Sequence, residues 1–147
     1  MDSYLMHIYM TKIRTCCRSY LNDKLKSYNL TSSEGKYLGL LGDKGAMSQN
    51  EMSNILGYDK AYTSRIITSL LAKGYIIEMV SSDDGRKKIF EISEKGKELG
   101  KIVHYKMNEF IDKYLCAGIA QKDKEEVFNI LKAMSQNGKK YFEGEHK

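Results

Sequence analysis

The 147-residue chain has no proline and no tryptophan, only three cysteines and three histidines, and no long apolar run. Without proline, no turn has its φ fixed by a ring. Cys16 and Cys17 are adjacent and Cys116 stands far along the chain, which is not the framework of a disulfide-stapled secreted domain, so reduced thiols are the simpler reading. No stretch approaches the roughly 20 apolar residues that a membrane span requires. The N-terminus, with Asp2 and broken hydrophobicity, lacks the charged and apolar regions of a signal peptide, so a cytoplasmic protein without a membrane partner is expected. His7, His104 and His146 are scattered and have no neighbouring ligand pair; His104, between Val103 and Tyr105, reads as a packed or rim residue, and neither a metal nor a cofactor is expected. There is no Ser/His/Asp ordering near a glycine elbow, no phosphate-cradling glycine loop and no close carboxylate pair framed by apolar residues. No enzyme is expected.

What the chain does have is positive charge, with a net +5 and a pI near 9.0, which fits a polyanionic partner. The excess is local. Between Lys60 and Phe90 there are six cations (Lys60, Arg65, Lys73, Arg86, Lys87, Lys88) and three acids (Glu78, Asp83, Asp84). The same stretch opens as a helix, with Asp59 as N-cap, Ile66, Ile67, Leu70 and Leu71 at three- and four-residue spacing, and Gly74 as a left-handed stop. Its other side, Lys60, Tyr62, Ser64, Arg65, Thr68 and Ser69, is a surface of cations, hydroxyls and one aromatic that can donate to phosphates and base edges. Two short strands follow, Tyr75 to Ile77 and Ile89 to Ile92, around a polar tip that ends in Arg86, Lys87 and Lys88. Helix, stop and charged hairpin in that order are the plan of a winged helix.

The rest of the chain reads as helix. Leu5, Ile8, Tyr9, Ile13, Cys16, Cys17, Tyr20, Leu21 and Leu25 predict a first helix over about residues 3 to 27 with a broad apolar face. Thr31 and Glu34 form a capping box for a second helix that stops near Gly42. A third starts at Ser48, with Glu51 three residues on, Met47 and Met52 as a hydrophobic staple, and Gly57 as its end; with the helix from Asp59 it makes a helix-turn-helix pair. A long helix is expected from about Glu94 to Cys116, an interruption at Gly118, and a last helix from about Gln121 to Gln136. There is no internal repeat and no interdomain linker. The terminal helices carry more apolar face than one small lobe can cover, which suggests an intertwined homodimer.

The landmarks Leu30-Thr31, Leu38 to Leu41, Lys73-Gly74-Tyr75-Ile76, Asp84-Gly85-Arg86 and Ile92-Ser93-Glu94-Lys95-Gly96 resemble those of the MarR family of transcriptional regulators. Asp-x-Arg alone is a weak signal; the ordered set is more specific. The sequence departs from many relatives at Ser81-Ser82, where they carry Asp-Pro. The resemblance implies a mostly α fold with a small β-hairpin wing, in one domain spanning 1–147. Within it a winged helix-turn-helix lobe would occupy about 30–93, and 1–29 with 94–147 would form the dimerisation helices. It also implies a homodimer that binds double-stranded DNA, as a repressor released by an effector.

Two recognition helices in successive major grooves lie roughly 34 to 36 Å apart, so the expected target is an inverted repeat. Lys60, Tyr62, Ser64, Arg65 and Thr68 are the candidates to face bases or phosphates. Arg65 suits a guanine, or else it pairs with an acid such as Asp84 and braces the wing. Arg86, with Lys87 and Lys88, suits the minor groove, and Asp84 either orients Arg86 or caps the turn. Ser48, Gln49 and Asn50 present donors to a phosphate, or Ser48 is a plain N-cap. A thiol-based redox switch on the same fold is the alternative function, and a winged-helix protein-interaction module a more remote one. The reactive cysteine of the peroxide-sensing branch falls, by the resemblance, at about His7, while Cys16 shares the apolar face of Ile13 and Tyr20 and Cys17, with Arg14 and Arg18 flanking the pair, is read as partly exposed. Effectors of the family are often small aromatic or lipophilic molecules, for which the resemblance implies a pocket walled by Ile13, Cys17, Tyr37, Leu41 and Met107. Such a stripe is more often plain core.

Overall fold

A computed structural model describes residues 1–81 and 85–144 of the chain. It resolves into two compact units, Met1–Phe110 and Ile111–Lys147.

Among its described residues the first unit has five α-helices and a hairpin. Helix α1 spans Ser3–Leu25, is capped by the Asp2 carboxylate on the Tyr4 N–H, and tightens into a 3₁₀ turn, Lys26–Tyr28. Helix α2, Ser32–Lys44, starts with the expected capping box: Thr31 Oγ1 accepts from the Glu34 N–H, and Glu34 Oε2 accepts from the Thr31 N–H at 2.8 Å. It runs past Gly42 and stops at Gly45, whose φ of +83° ends it, so the predicted end at Gly42 is corrected by three residues. Helix α3, Gln49–Leu56, has the second capping box, between Ser48 and Glu51, and the left-handed Gly57 at its end. Met47 and Met52, the two staple positions, are both buried. Helix α4, Lys60–Ala72, begins with Asp59 Oδ1 accepting from the Tyr62 N–H at 2.7 Å.

Strands β1, Ile76–Val80, and β2, Lys88–Ile92, pair antiparallel in the register Ile76 to Ile92 and Val80 to Lys88. Pairing carries β1 three residues beyond the predicted Ile77 and brings Lys88 out of the tip into the strand. The Met47 and Phe90 backbones exchange two further hydrogen bonds, of 3.0 and 2.8 Å, so the loop before α3 lies along the open edge of β2. Helix α5, Glu94–Phe110, follows at once. Ser93 ties this junction together: its hydroxyl donates to the Gly74 carbonyl at 2.7 Å and accepts from the Gly96 N–H at 3.1 Å. A Cβ at Gly96 would collide with the Tyr75 carbonyl oxygen, the physical need behind that glycine.

The core of this unit joins Leu21 and Leu25 of α1, Tyr37, Leu38 and Leu41 of α2, Met52 of α3, Ile67 and Leu70 of α4, Ile76, Phe90 and Ile92 of the strands, and Leu99 and Val103 of α5. The remainder of α1 is different, since Tyr4, Leu5, Ile8, Tyr9 and Ile13 are all exposed.

The second unit continues with a π-helical turn, Ile111–Leu115, where a plain α-helical end was expected, and turns at Gly118, which has φ +76°. Helix α6, Gln121–Glu143, runs seven residues beyond the predicted Gln136, through Gly138, and ends at the left-handed Gly144. Val127, Phe128, Ile130 and Leu131 along it are about half exposed or more. Among the described residues no helix is long and apolar enough to cross a membrane, and no group of three metal-ligating side chains converges.

Candidate nucleic-acid interface

Helix α4 presents an outward face of Lys60, Ser64, Arg65 and Thr68, all exposed, while Thr63, Ile67 and Leu70 are buried. The division follows from the 3.6-residue period, which sets the inward residues at three- and four-residue steps. Buried hydroxyls fix the helix rotationally: Thr63 Oγ1 lies 2.8 Å from both the Tyr37 hydroxyl and Ser53 Oγ, joining α2, α3 and α4 at one atom. At the other end of α4, the buried Glu34 carboxylate accepts from Lys73 Nζ at 2.8 Å and from Ser69 Oγ, and Lys73 Nζ also donates to the Asn29 carbonyl at 2.7 Å. Burial alone would raise the Glu34 pKa; the hydrogen bonds from Lys73, Ser69 and the Thr31 N–H, with the charge of Lys73, outweigh it and hold the carboxyl below its ordinary value.

The predicted contact residues do not all stand alike. Asn50, Lys60, Ser64, Arg65, Thr68, Arg86, Lys87 and Lys88 are exposed. Ser48 is buried and its hydroxyl caps α3, in line with the plainer of its two readings. The Gln49 side-chain amide donates to the Lys60 carbonyl at 3.0 Å, pinning α3 against the start of α4. Thr68 Oγ1 donates back to the Ser64 carbonyl at 2.9 Å. Tyr62 is half-buried, its hydroxyl bonded to Ser33 Oγ, its ring 4.7 Å from that of Tyr58 and the Arg65 guanidinium 5.6 Å above it. Lys88 Nζ pairs with Glu78 Oε1 at 2.7 Å across the hairpin. Asp84 lies outside the described residues, and with it the suggested pairing to Arg65 and the orienting of Arg86.

The expected pocket walls also separate. Tyr37 and Leu41 are core, Ile13 is exposed, and Met107 lines a shallow groove with Leu40, Leu56, Val103 and His104. His104 Nε2 lies 3.1 Å from the Gly39 carbonyl oxygen, which fits a packing role. Cys16, expected on the apolar face, is exposed, and Cys17 is half-buried. Adjacent helical residues point about 100° apart, and it is the Cys17 side that turns inward. Burial, with the neighbouring Cys16, pushes the Cys17 thiol above its ordinary pKa despite Lys36, which leaves less thiolate to react.

Sequence reasoning missed a crevice of about 170 Å³ lined by Arg14, Thr15, Arg18, Ser33, Lys36, Tyr58 and Tyr62. Its walls carry three cations and no acid. The four-residue step from Arg14 to Arg18, which sets both on one side of α1, was the available signal.

Known proteins share this arrangement. The model of the MarR family matches residues 30–88, the segment from the end of the first 3₁₀ turn to the start of β2. Through this segment the chain resembles the MarR family. It is 32% identical over 80 residues to the HTH-type transcriptional regulator BilQ of Clostridioides difficile (strain CD3), a match that spans 54% of each chain, about half the length of that relative. Among solved structures, a Listeria monocytogenes protein complexed with 26mer DNA superposes with a TM-score of 0.85 at 23% identity, covering 98% of this chain and 97% of that one. The S. aureus MepR–DNA complex gives a TM-score of 0.74 at 21% identity, covering 93% and 98%. These likenesses establish the winged-helix MarR fold, and α4 is the second helix of its helix-turn-helix pair.

Proposed function

We propose that the chain is a sequence-specific, double-stranded-DNA-binding transcriptional regulator that acts in the cytoplasm as a homodimer on an inverted repeat, repressing until a small effector releases it. The observation that carries this reading is the exposed face of α4, where Lys60, Ser64 and Arg65 project beside a pinned α3 and a wing bearing Arg86 and Lys87. Arg65 reads a base through its forked guanidinium, and Lys60 holds a phosphate. Two fold neighbours described as DNA complexes support the same use of this lobe. The exposed apolar rows on α1 and on α6 support pairing with a second copy through residues 1–29 and 94–147. No catalytic step is assigned. The half-buried position and raised pKa of Cys17 weigh against that thiol as a redox switch. For the effector, the acid-free crevice beside Arg14, Arg18 and Lys36 suits an anionic small molecule better than a purely lipophilic one.

Binding-site selection from random duplexes at two salt concentrations tests the reading. Arg65→Ala is expected to lose discrimination at one symmetric pair of positions, whereas Lys60→Ala loses affinity for every sequence and lowers the salt slope by about one unit. Salt-independent binding, or no selected sequence for the wild type, refutes it.

A further inference from the structure

Arg65 does not project from bare helix. Beneath it runs a ladder of rings that begins in the core: Tyr37 is fully buried, the Tyr58 ring lies 6.3 Å from it, the Tyr62 ring 4.7 Å further on, and the Arg65 guanidinium caps the series 5.6 Å above Tyr62. The three-residue step from Tyr62 to Arg65 sets both side chains on one strip of α4. Tyr62 itself is held at both faces of its role, because its hydroxyl is bonded to Ser33 Oγ at the start of α2 and its ring is backed by Tyr58. The Tyr58 hydroxyl in turn accepts from Lys36 Nζ at 3.2 Å. A free arginine side chain samples many rotamers and must surrender them on docking; one already stacked on a fixed ring has fewer to lose and points one way beforehand.

We propose that Tyr62 is a positioning residue for base reading: it is a shelf that aims Arg65, and it makes no base contact of its own. This rests on the DNA-binding reading above and changes the part assigned to Tyr62 within it. The ladder is also the route by which the crevice reaches the reading face, since Tyr58 and Tyr62 line the crevice and Tyr62 carries Arg65.

Two measurements test it, one without DNA. In the free protein, the Arg65 Nε–Hε resonance is expected to be shifted by the ring beneath it. It should move to the position of an unstacked arginine in Tyr62→Leu and stay near its wild-type position in Tyr62→Phe. In binding-site selection, Tyr62→Leu should weaken preference at the same symmetric positions as Arg65→Ala, by roughly two- to fivefold, the worth of an exposed cation–π contact. The double variant should lose no more than Arg65→Ala alone. Tyr62→Met, bulky and without a ring, replaces Tyr62→Leu if the latter does not fold. An Arg65 resonance indifferent to loss of the ring, a Tyr62→Phe variant as impaired as Tyr62→Leu, or a uniform loss of affinity with sequence preference intact overturns the proposal. A wild type without sequence preference overturns the DNA reading instead, and the resonance still reports on the shelf.

Discussion

Replacing Glu34 by glutamine removes one charge and changes no heavy-atom shape, which makes it the sharpest probe of how α4 is held. Glu34 is 3% exposed and accepts four hydrogen bonds, from Lys73 Nζ, Ser69 Oγ, the Thr31 N–H and Thr31 Oγ1. Removing one member of a buried ion pair costs about 3–5 kcal/mol. The Lys73 side chain is 26% exposed, so water relieves part of that cost and about 2 kcal/mol remains. Glutamine must also turn its NH₂ toward donors on one side or the other; turned toward Thr31, away from the Lys73 and Ser69 donors, it loses the capping box at about a further 1 kcal/mol. The expected loss is about 3 kcal/mol, a fall in Tm of roughly 10 °C at fixed protein concentration. The pH dependence has a defined sign. The folded-state pKa of Glu34 is depressed, so its stabilisation is complete above the unfolded value of about 4.3 and is lost as pH falls through the lower folded value. Denaturant melts of both proteins at pH 7 and at steps below pH 5 should therefore show the gap between them narrowing toward acid. A gap under about 0.5 kcal/mol at pH 7, or one that stays constant to the acid limit, refutes the account of this ion pair.

Two further substitutions test the frame around the site. Gly96→Ala drives a methyl group into the Tyr75 carbonyl and the Ile92 side chain, and should cost about 3 kcal/mol in a denaturant melt; a loss below about 1 kcal/mol means that the strand-to-α5 junction gives way easily. Ile130→Glu with Leu131→Lys, placed on the half-exposed row of α6, should abolish the proposed dimer and much of the stability, as followed by sedimentation velocity and thermal melting. A well-folded wild-type monomer at micromolar concentration contradicts that expectation.

Both capping boxes, the Asp59 cap and the glycine stops at Gly57 and Gly74 were legible because each is written within four residues of sequence. Where an element's end depends on a partner, the sequence misled. β1 extends to Val80 because β2 is there to pair with it, and α2 passes Gly42 because one glycine inside a helix costs only about 1 kcal/mol. The outward residues of α4 were legible from periodicity, but the roles of Gln49, Tyr62 and Lys88 were not. Each is occupied by a partner from another segment: Lys60, Ser33 and Glu78 respectively. The Glu34–Lys73 pair spans 39 residues, and no local pattern predicts such a meeting.

These polar contacts bear on what the reading role proposed for α4 requires. Apolar packing is non-directional, so Ile67 and Leu70 hold α4 against the core but tolerate small rotations about its axis. Hydrogen bonds weaken steeply as their angles open. The Thr63 hydroxyl, shared at 2.8 Å by Tyr37 and Ser53, sets the rotation near the start of α4, and Glu34 sets it near the end through Ser69 and Lys73. Among the described residues no buried side-chain polar atom is left without a partner, so the full cost of desolvating these groups is offset only when α4 sits at one angle. A purely apolar interior would bury the same area at lower risk. It would leave the direction of Arg65 undefined by the distance that separates one base edge from the next, and it is direction that a sequence-reading surface must hold.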